Sequence, residues 1–165
     1  MVETAARFGN AVIAIRGHAD PTKTLADLVR AGMAKGVLKR VGTPGNYSYS
    51  VQGKPLDLGG TTELIKLVES GAFDGVAEYN PRETMQAALN LSRNRAEAVL
   101  NSVVEYAKGK GLAMDKTQVQ PVGVGIREPF VAKPKDLEEA KKNMRVEFRV
   151  VRVPAEATKQ ADFDF

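Results

Sequence analysis

His18 is the only histidine in this chain of 165 residues, and cysteine is absent. Without cysteine there is no disulfide framework, thiolate metal site or thiol nucleophile. One histidine cannot furnish the several ligands of a structural zinc site, so no metal is expected. Ser92 has no base partner near it in sequence and reads as a local helix contact rather than a nucleophile. Asp57, Glu63, Glu69 and Asp74 are of a type that can pair as general acid and base, but nothing in the sequence fixes their spacing. Gly123-Val124-Gly125 lacks the third glycine and the following helix of a dinucleotide loop, so it reads as a turn and no cofactor is expected. The expectation is a protein that is not an enzyme. Taken singly, Asp20 suits a turn or a helix cap, and Arg95 suits a solvated charge or half of a surface ion pair.

Composition allows one packed domain carrying an insertion. Hydrophobic residues make up 43% and charged residues 27%, enough apolar content for a core. A formal net charge of +4 permits anionic partners and selects none. The basic stretch Lys35, Lys39 and Arg40 reads as a solvated helix face. No run of about 18 apolar residues is present, so no transmembrane helix is expected. Met1-Val2-Glu3-Thr4 does not open a signal peptide. If the protein is exported, the chain is then expected to be part of something longer.

The elements that must position these residues follow from periodicity. Ala11 to Arg16 is β-branched and ends at Gly17, which predicts a buried strand. Thr24 to Val41 has apolar residues at helical spacing, weakened by Gly32 and Gly36, and predicts a helix. Tyr47 to Val51 predicts a short strand, and Thr61 to Ser70 a short helix stopped by Gly71. Asn80-Pro81-Arg82-Glu83 is a strong helix start. That helix should run to about Lys108, with a buried stripe at Ala88, Leu91, Ala96, Val99, Leu100 and Val103. Val119 to Gly123 predicts a strand and Leu137 to Lys142 a helical turn. Met144 to Val153 predicts a final strand with Val146, Phe148 and Val150 on one face. Thr4 to Asn10 reads as the end of a helix and residues 154–165 as a loose tail.

Four segments, in order, resemble the OmpA-like peptidoglycan-binding family of the OmpA, Pal and MotB type. Ile15-Arg16-Gly17-His18-Ala19-Asp20 is similar to a strand followed by G-H-[TA]-D. Leu91-Ser92-Arg93-Asn94-Arg95-Ala96-Glu97-Ala98-Val99 is similar to L-S-x-x-R-A-x-x-V. Val122 to Pro129 resembles G-x-G-x-x-x-P, and Asn143 to Phe148 resembles N-R-R-V-E-[FI]. The resemblance spans residues 11 to 153, with a poor match between Pro21 and Ala87. It implies an α/β (α+β) two-layer sandwich, with a mixed sheet, two main helices on one face and an inserted subdomain at about 22–85.

The resemblance also implies a ligand. Family members bind the diaminopimelate of the peptidoglycan stem peptide, whose free end carries an ammonium and a carboxylate on one carbon. By this reading Asp20 accepts from the ammonium and Arg95 grips the carboxylate with its planar fork. Thr22, Asn143 and Arg145 become candidates for lining the cleft, with a structural role favoured for Asn143 and Arg145. His18 and Leu91 become structural residues near the site. The expected function is to anchor a larger envelope protein to the cell wall in the periplasm, with no nucleic-acid partner and no membrane insertion by this chain.

The departures are specific. Ala88 replaces a family asparagine and Met144 replaces the first arginine of N-R-R-V. The family's opening strand is not visible before Ala11, and Tyr47 to Val51 could stand in for it. The insertion separates Asp20 from Arg95. It could host a protein partner, which gives the alternative that the frame is recast for protein interaction without wall binding.

Overall fold

The computed structural model describes residues 11–152. The helix end expected at Thr4–Asn10 and the tail expected at 154–165 lie outside the described residues. In chain order the elements are β1 (Ala11–His18), α1 (Thr22–Ala34), β2 (Leu38–Thr43), β3 (Asn46–Val51), β4 (Lys54–Leu56), α2 (Thr61–Glu69), α3 (Pro81–Gly109), β5 (Val119–Gly125), α4 (Leu137–Asn143) and β6 (Val146–Arg152). The class is mixed α and β, with two three-stranded sheets, β5-β1-β6 and β2-β3-β4.

β1 is the middle strand of the first sheet, parallel to β5 and antiparallel to β6. Pro121 is accommodated in β5 because that strand is an edge. Alternation sends Ile13, Ile15 and Gly17 to one face and Arg16 and His18 to the other. Helix α3 covers the first face. Ile13, Ile15, Ala96 and Val119 form a small core there, with Val99 and Leu100 packed against it.

The approach of α3 is set by what is missing at Gly17. A Cβ there would lie 1.9 Å from the Ser92 carbonyl oxygen, and one at the neighbouring Gly123 would lie 2.8 Å from Arg93 Cβ. Only glycine permits this contact. Ser92 is fully buried at the same place. Its hydroxyl donates to Leu89 O (2.7 Å), as the local reading expects, and accepts the Gly125 N–H (2.9 Å), which ties the helix to β5.

The final strand carries Val146, Phe148 and Val150 on the α3 side, opposite Gly17, Ile15 and Ile13. Phe148 and Val150 stay 42% and 50% exposed, because α3 packs over β5 and β1 rather than over this edge.

The inserted segment has its own core. Leu28, Leu38, Leu64, Val68 and Phe73 are buried together, between α1, α2 and the hairpin sheet. Helix α1 packs against α3 and β2. The helix expected over Thr24–Val41 stops early: α1 ends at Ala34 and Leu38–Thr43 is a strand. Gly36, at φ +68°, is the reason. Its N–H bonds Met33 O and the Val37 N–H bonds Gly32 O, a Schellman closure that glycine favours. Lys39 and Arg40 therefore lie on a strand, not on a helix face. Tyr47 to Val51 is a strand as expected, but it pairs with β2 and β4. It does not replace an opening strand beside β1.

Candidate functional site

Asp20 leaves the end of β1 and begins the turn into α1. Its Oδ2 accepts the Thr22 N–H (2.9 Å) and its Oδ1 accepts the Asn143 amide (3.0 Å). The turn-or-cap reading of Asp20 is thus part of its role. A carboxylate has about four acceptor positions, so these two bonds aim the group while leaving capacity for a ligand. Asn143 is fully buried. It also accepts the Val131 N–H and donates to Val131 O (both 2.9 Å), which fixes the orientation of its amide.

Arg95 projects from α3 and donates through Nη1 to the carbonyl of His18. The close seat of α3 at Gly17 brings that carbonyl within reach. A guanidinium has five N–H donors in a rigid fork, so one anchoring bond leaves others available. Asp20 and Arg95 line one open cavity of about 310 Å³. Among the described residues they form no ion pair with each other.

The rest of the wall is apolar. Ala88 and Leu91 line the cavity with Ala19, Ala87 and Met144, and Lys23 and Thr84 stand at its polar margin. Leu91 was expected in the buried stripe of the helix, but it is 54% exposed. The stripe against the sheet runs through Ser92 and Ala96, one step around the helix, and Thr84, Ala88, Leu91 and Arg95 face the cavity at helical spacing. Lys23 bonds Asp27 at 2.6 Å.

Two expected lining residues do not line the cavity, and Asn143 acts from behind it. Thr22 contributes its backbone N–H to Asp20 instead. Arg145 turns to the opposite sheet face, where Nε donates to Glu147 (2.8 Å) and Nη2 to Glu128 O (3.3 Å). It joins a charged network there. Arg16 grips Glu128 with two bonds of 2.6 and 2.9 Å, and Arg149 reaches both Glu128 and Glu147. Hydrogen bonding to Arg16 holds the Glu128 carboxyl below its usual range, and bonding to Arg145 does the same for Glu147.

His18 is fully buried beside this network. Neither ring nitrogen makes a hydrogen bond, and Glu147 Oε2 stands 3.5 Å from Nε2, beyond good bonding geometry. Burial, reinforced by Arg145, pushes the imidazole pKa down despite Glu147, so the ring is neutral near pH 7. The ring was expected to pack and hydrogen-bond beneath the site; it is buried, but it makes no hydrogen bond, and its contact with the site is its backbone carbonyl, which accepts from Arg95.

The chain matches no family model, no curated protein and no solved structure. The site therefore stands on its own geometry. The four acids noted above do not gather into one cluster: Asp57 and Glu63 both flank Gly60, and the others stand apart on their own cations. Asp57, Glu69 and Asp74 each meet a separate cation, Lys133, Arg127 and Arg82. Among the described residues no three His, Asp or Glu side chains are grouped to hold a metal ion, and no helix is long and apolar enough to cross a membrane.

Proposed function

We propose that the chain binds peptidoglycan without catalysis, through the zwitterionic end of diaminopimelate in the stem peptide, and so ties a larger envelope protein to the cell wall in the periplasm. The observation that carries this reading is the placement of Asp20 and Arg95 on one open cavity, unpaired with each other and each held by backbone or buried amide contacts. A ligand ammonium would bond the free capacity of Asp20, and its carboxylate would take the free edge of the Arg95 fork. The apolar wall of Ala87, Ala88 and Leu91 lowers the local dielectric and strengthens both contacts. The resemblance to OmpA-like domains supplies the identity of the ligand. The open cleft favours this reading over a frame recast for protein partners alone, since the insertion contributes Lys23 and Thr84 at the margin and leaves Leu91 exposed.

The test is sedimentation with purified diaminopimelate-type sacculi. Wild type should pellet, and Asp20→Asn and Arg95→Ala should stay soluble, each losing about 2–5 kcal/mol because the partner charge is left unpaired. Asparagine keeps an acceptor for the Thr22 N–H, so helix α1 keeps its start. Arg95→Lys should rescue only in part, since it keeps charge and loses the fork. If all variants and wild type stay soluble while folded, the reading fails.

A further inference from the structure

A groove with an apolar floor lies on the insertion, apart from the cleft. Leu25, Val29 and Met33 of α1 form its floor, and Tyr49 and Tyr79 stand at its sides, enclosing about 490 Å³. It shares no lining residue with the Asp20–Arg95 cleft. Two cations border it. The Arg30 guanidinium carbon lies 5.3 Å from the centre of the Tyr79 ring, and that of Arg40 lies 4.3 Å from the centre of Tyr47.

These two arginines differ from most others among the described residues. Arg16, Arg82, Arg93, Arg127, Arg145 and Arg149 each meet a carboxylate, and Arg95 meets a carbonyl. Arg30 and Arg40 rest on tyrosine faces, and among the described residues neither meets an acid. Glu78 is near, but it accepts the Tyr79 hydroxyl (2.9 Å). Stacking on an aromatic ring restrains a guanidinium while its in-plane N–H groups remain free to donate. Two restrained and unneutralised forks beside an apolar trough fit an extended or helical segment that alternates carboxylates with apolar anchors.

We infer that this groove docks an acidic segment of a protein partner, its carboxylates on Arg30 and Arg40 and its aliphatic or aromatic side chains on Leu25, Val29 and Met33. The groove works independently of wall binding, so one chain can hold the wall and a partner at once. A concave apolar floor with two cations suits such a peptide better than a phosphate backbone, which calls for a wider basic face.

The experiment pans the full chain against a random dodecapeptide phage library. The best peptide is then synthesised and its binding to wild type compared with that to Arg30→Glu/Arg40→Glu and to Asp20→Asn/Arg95→Ala. Enriched peptides should carry Asp or Glu flanking Leu, Ile or Phe. The charge-reversed variant should bind at least tenfold more weakly, and the cleft variant should bind unchanged. The Met33 methyl resonance should shift on titration in wild type. Arg30→Gln/Arg40→Gln, with melting compared to wild type, covers any folding defect of the reversal. Failure to enrich acidic sequences, or equal affinity for the reversed variant, overturns the assignment. Charge-dependent retention on phosphatidylglycerol vesicles without peptide binding overturns it in favour of a membrane surface.

Discussion

In the frame formed by β5-β1-β6 and α3, the helix meets the site end of the sheet through Gly17, Gly123, Ser92 and Ala96, the smallest contacts available, beside a small aliphatic core. In the insertion, Phe73, Leu28 and Val68 fill the centre with bulky side chains. The charges differ in the same way. The frame arginines Arg16, Arg95, Arg145 and Arg149 are locked to Glu128, Glu147 or the His18 carbonyl, whereas Arg30 and Arg40 in the insertion rest on tyrosines. The frame gains positional accuracy from backbone contact and from its charged hydrogen bonds. The insertion gains stability from volume and leaves Arg30 and Arg40 without an acid partner among the described residues.

That contrast can be broken most directly at Gly17. Gly17→Val should abolish cooperative folding, a loss above about 4 kcal/mol, because the new Cβ collides with backbone that cannot move alone. A urea midpoint within experimental error of wild type would remove the close seat of α3. Phe73→Ala should cost about 3–5 kcal/mol. Hydrogen exchange tells whether the loss is local: opening confined to 38–76 means the two cores melt separately, and equal opening of β1 amides means they melt as one. Asn143→Ala should cost about 1–3 kcal/mol through the unbonded Val131 backbone, and it should weaken sacculus binding although Asn143 does not line the cleft.

Acid should act on the frame more than on the insertion. The lowered pKa of His18 means that, below its ordinary value near 6.5, the unfolded chain takes up a proton that the folded chain refuses. Stability therefore falls as pH falls from about 6.5, with a slope of at most about 1.4 kcal/mol per pH unit from this group. His18→Gln should flatten the curve below pH 6.5. The curve should still fall below about 4.5, where Glu128 and Glu147 lose the stabilisation of their charged forms. An unchanged slope in the variant would place the effect elsewhere. The smallest effect belongs to Arg40→Ala, about 0.5–1 kcal/mol by thermal melting, since only the Tyr47 stack is lost.

Much of the frame was legible because its signals are local. The β-branched run of β1 and the Asn80-Pro81 start of α3 each announce themselves within a few residues, and Asn80 does accept the Glu83 N–H. The insertion was harder. Val37 and Val41 satisfy both helical spacing and strand alternation, and only the stop at Gly36 decides between them. In the site, Asp20 and Arg95 were legible through motif context. Thr22 and Arg145 were not, because neighbours of a motif residue need not share its direction: Met144 turns to the cleft and Arg145 to the far face. Lys23 and Thr84 reach the cleft through assembly of α1 on α3. Thr84 could have been found by extending the stripe from Arg95 through Leu91 and Ala88 back toward the helix start.

The seat of α3 at Gly17 acts as a caliper. The gap between Asp20 and Arg95, the two charges proposed to hold the ligand, is set by a place where side chains are missing, not by the charged residues themselves. Adjusting the fit to a longer or shorter zwitterion would then call for changes at Ser92 and its glycine partners, with Asp20 and Arg95 held constant. A search for altered specificity that varies only cleft-facing positions would leave that adjustment untouched.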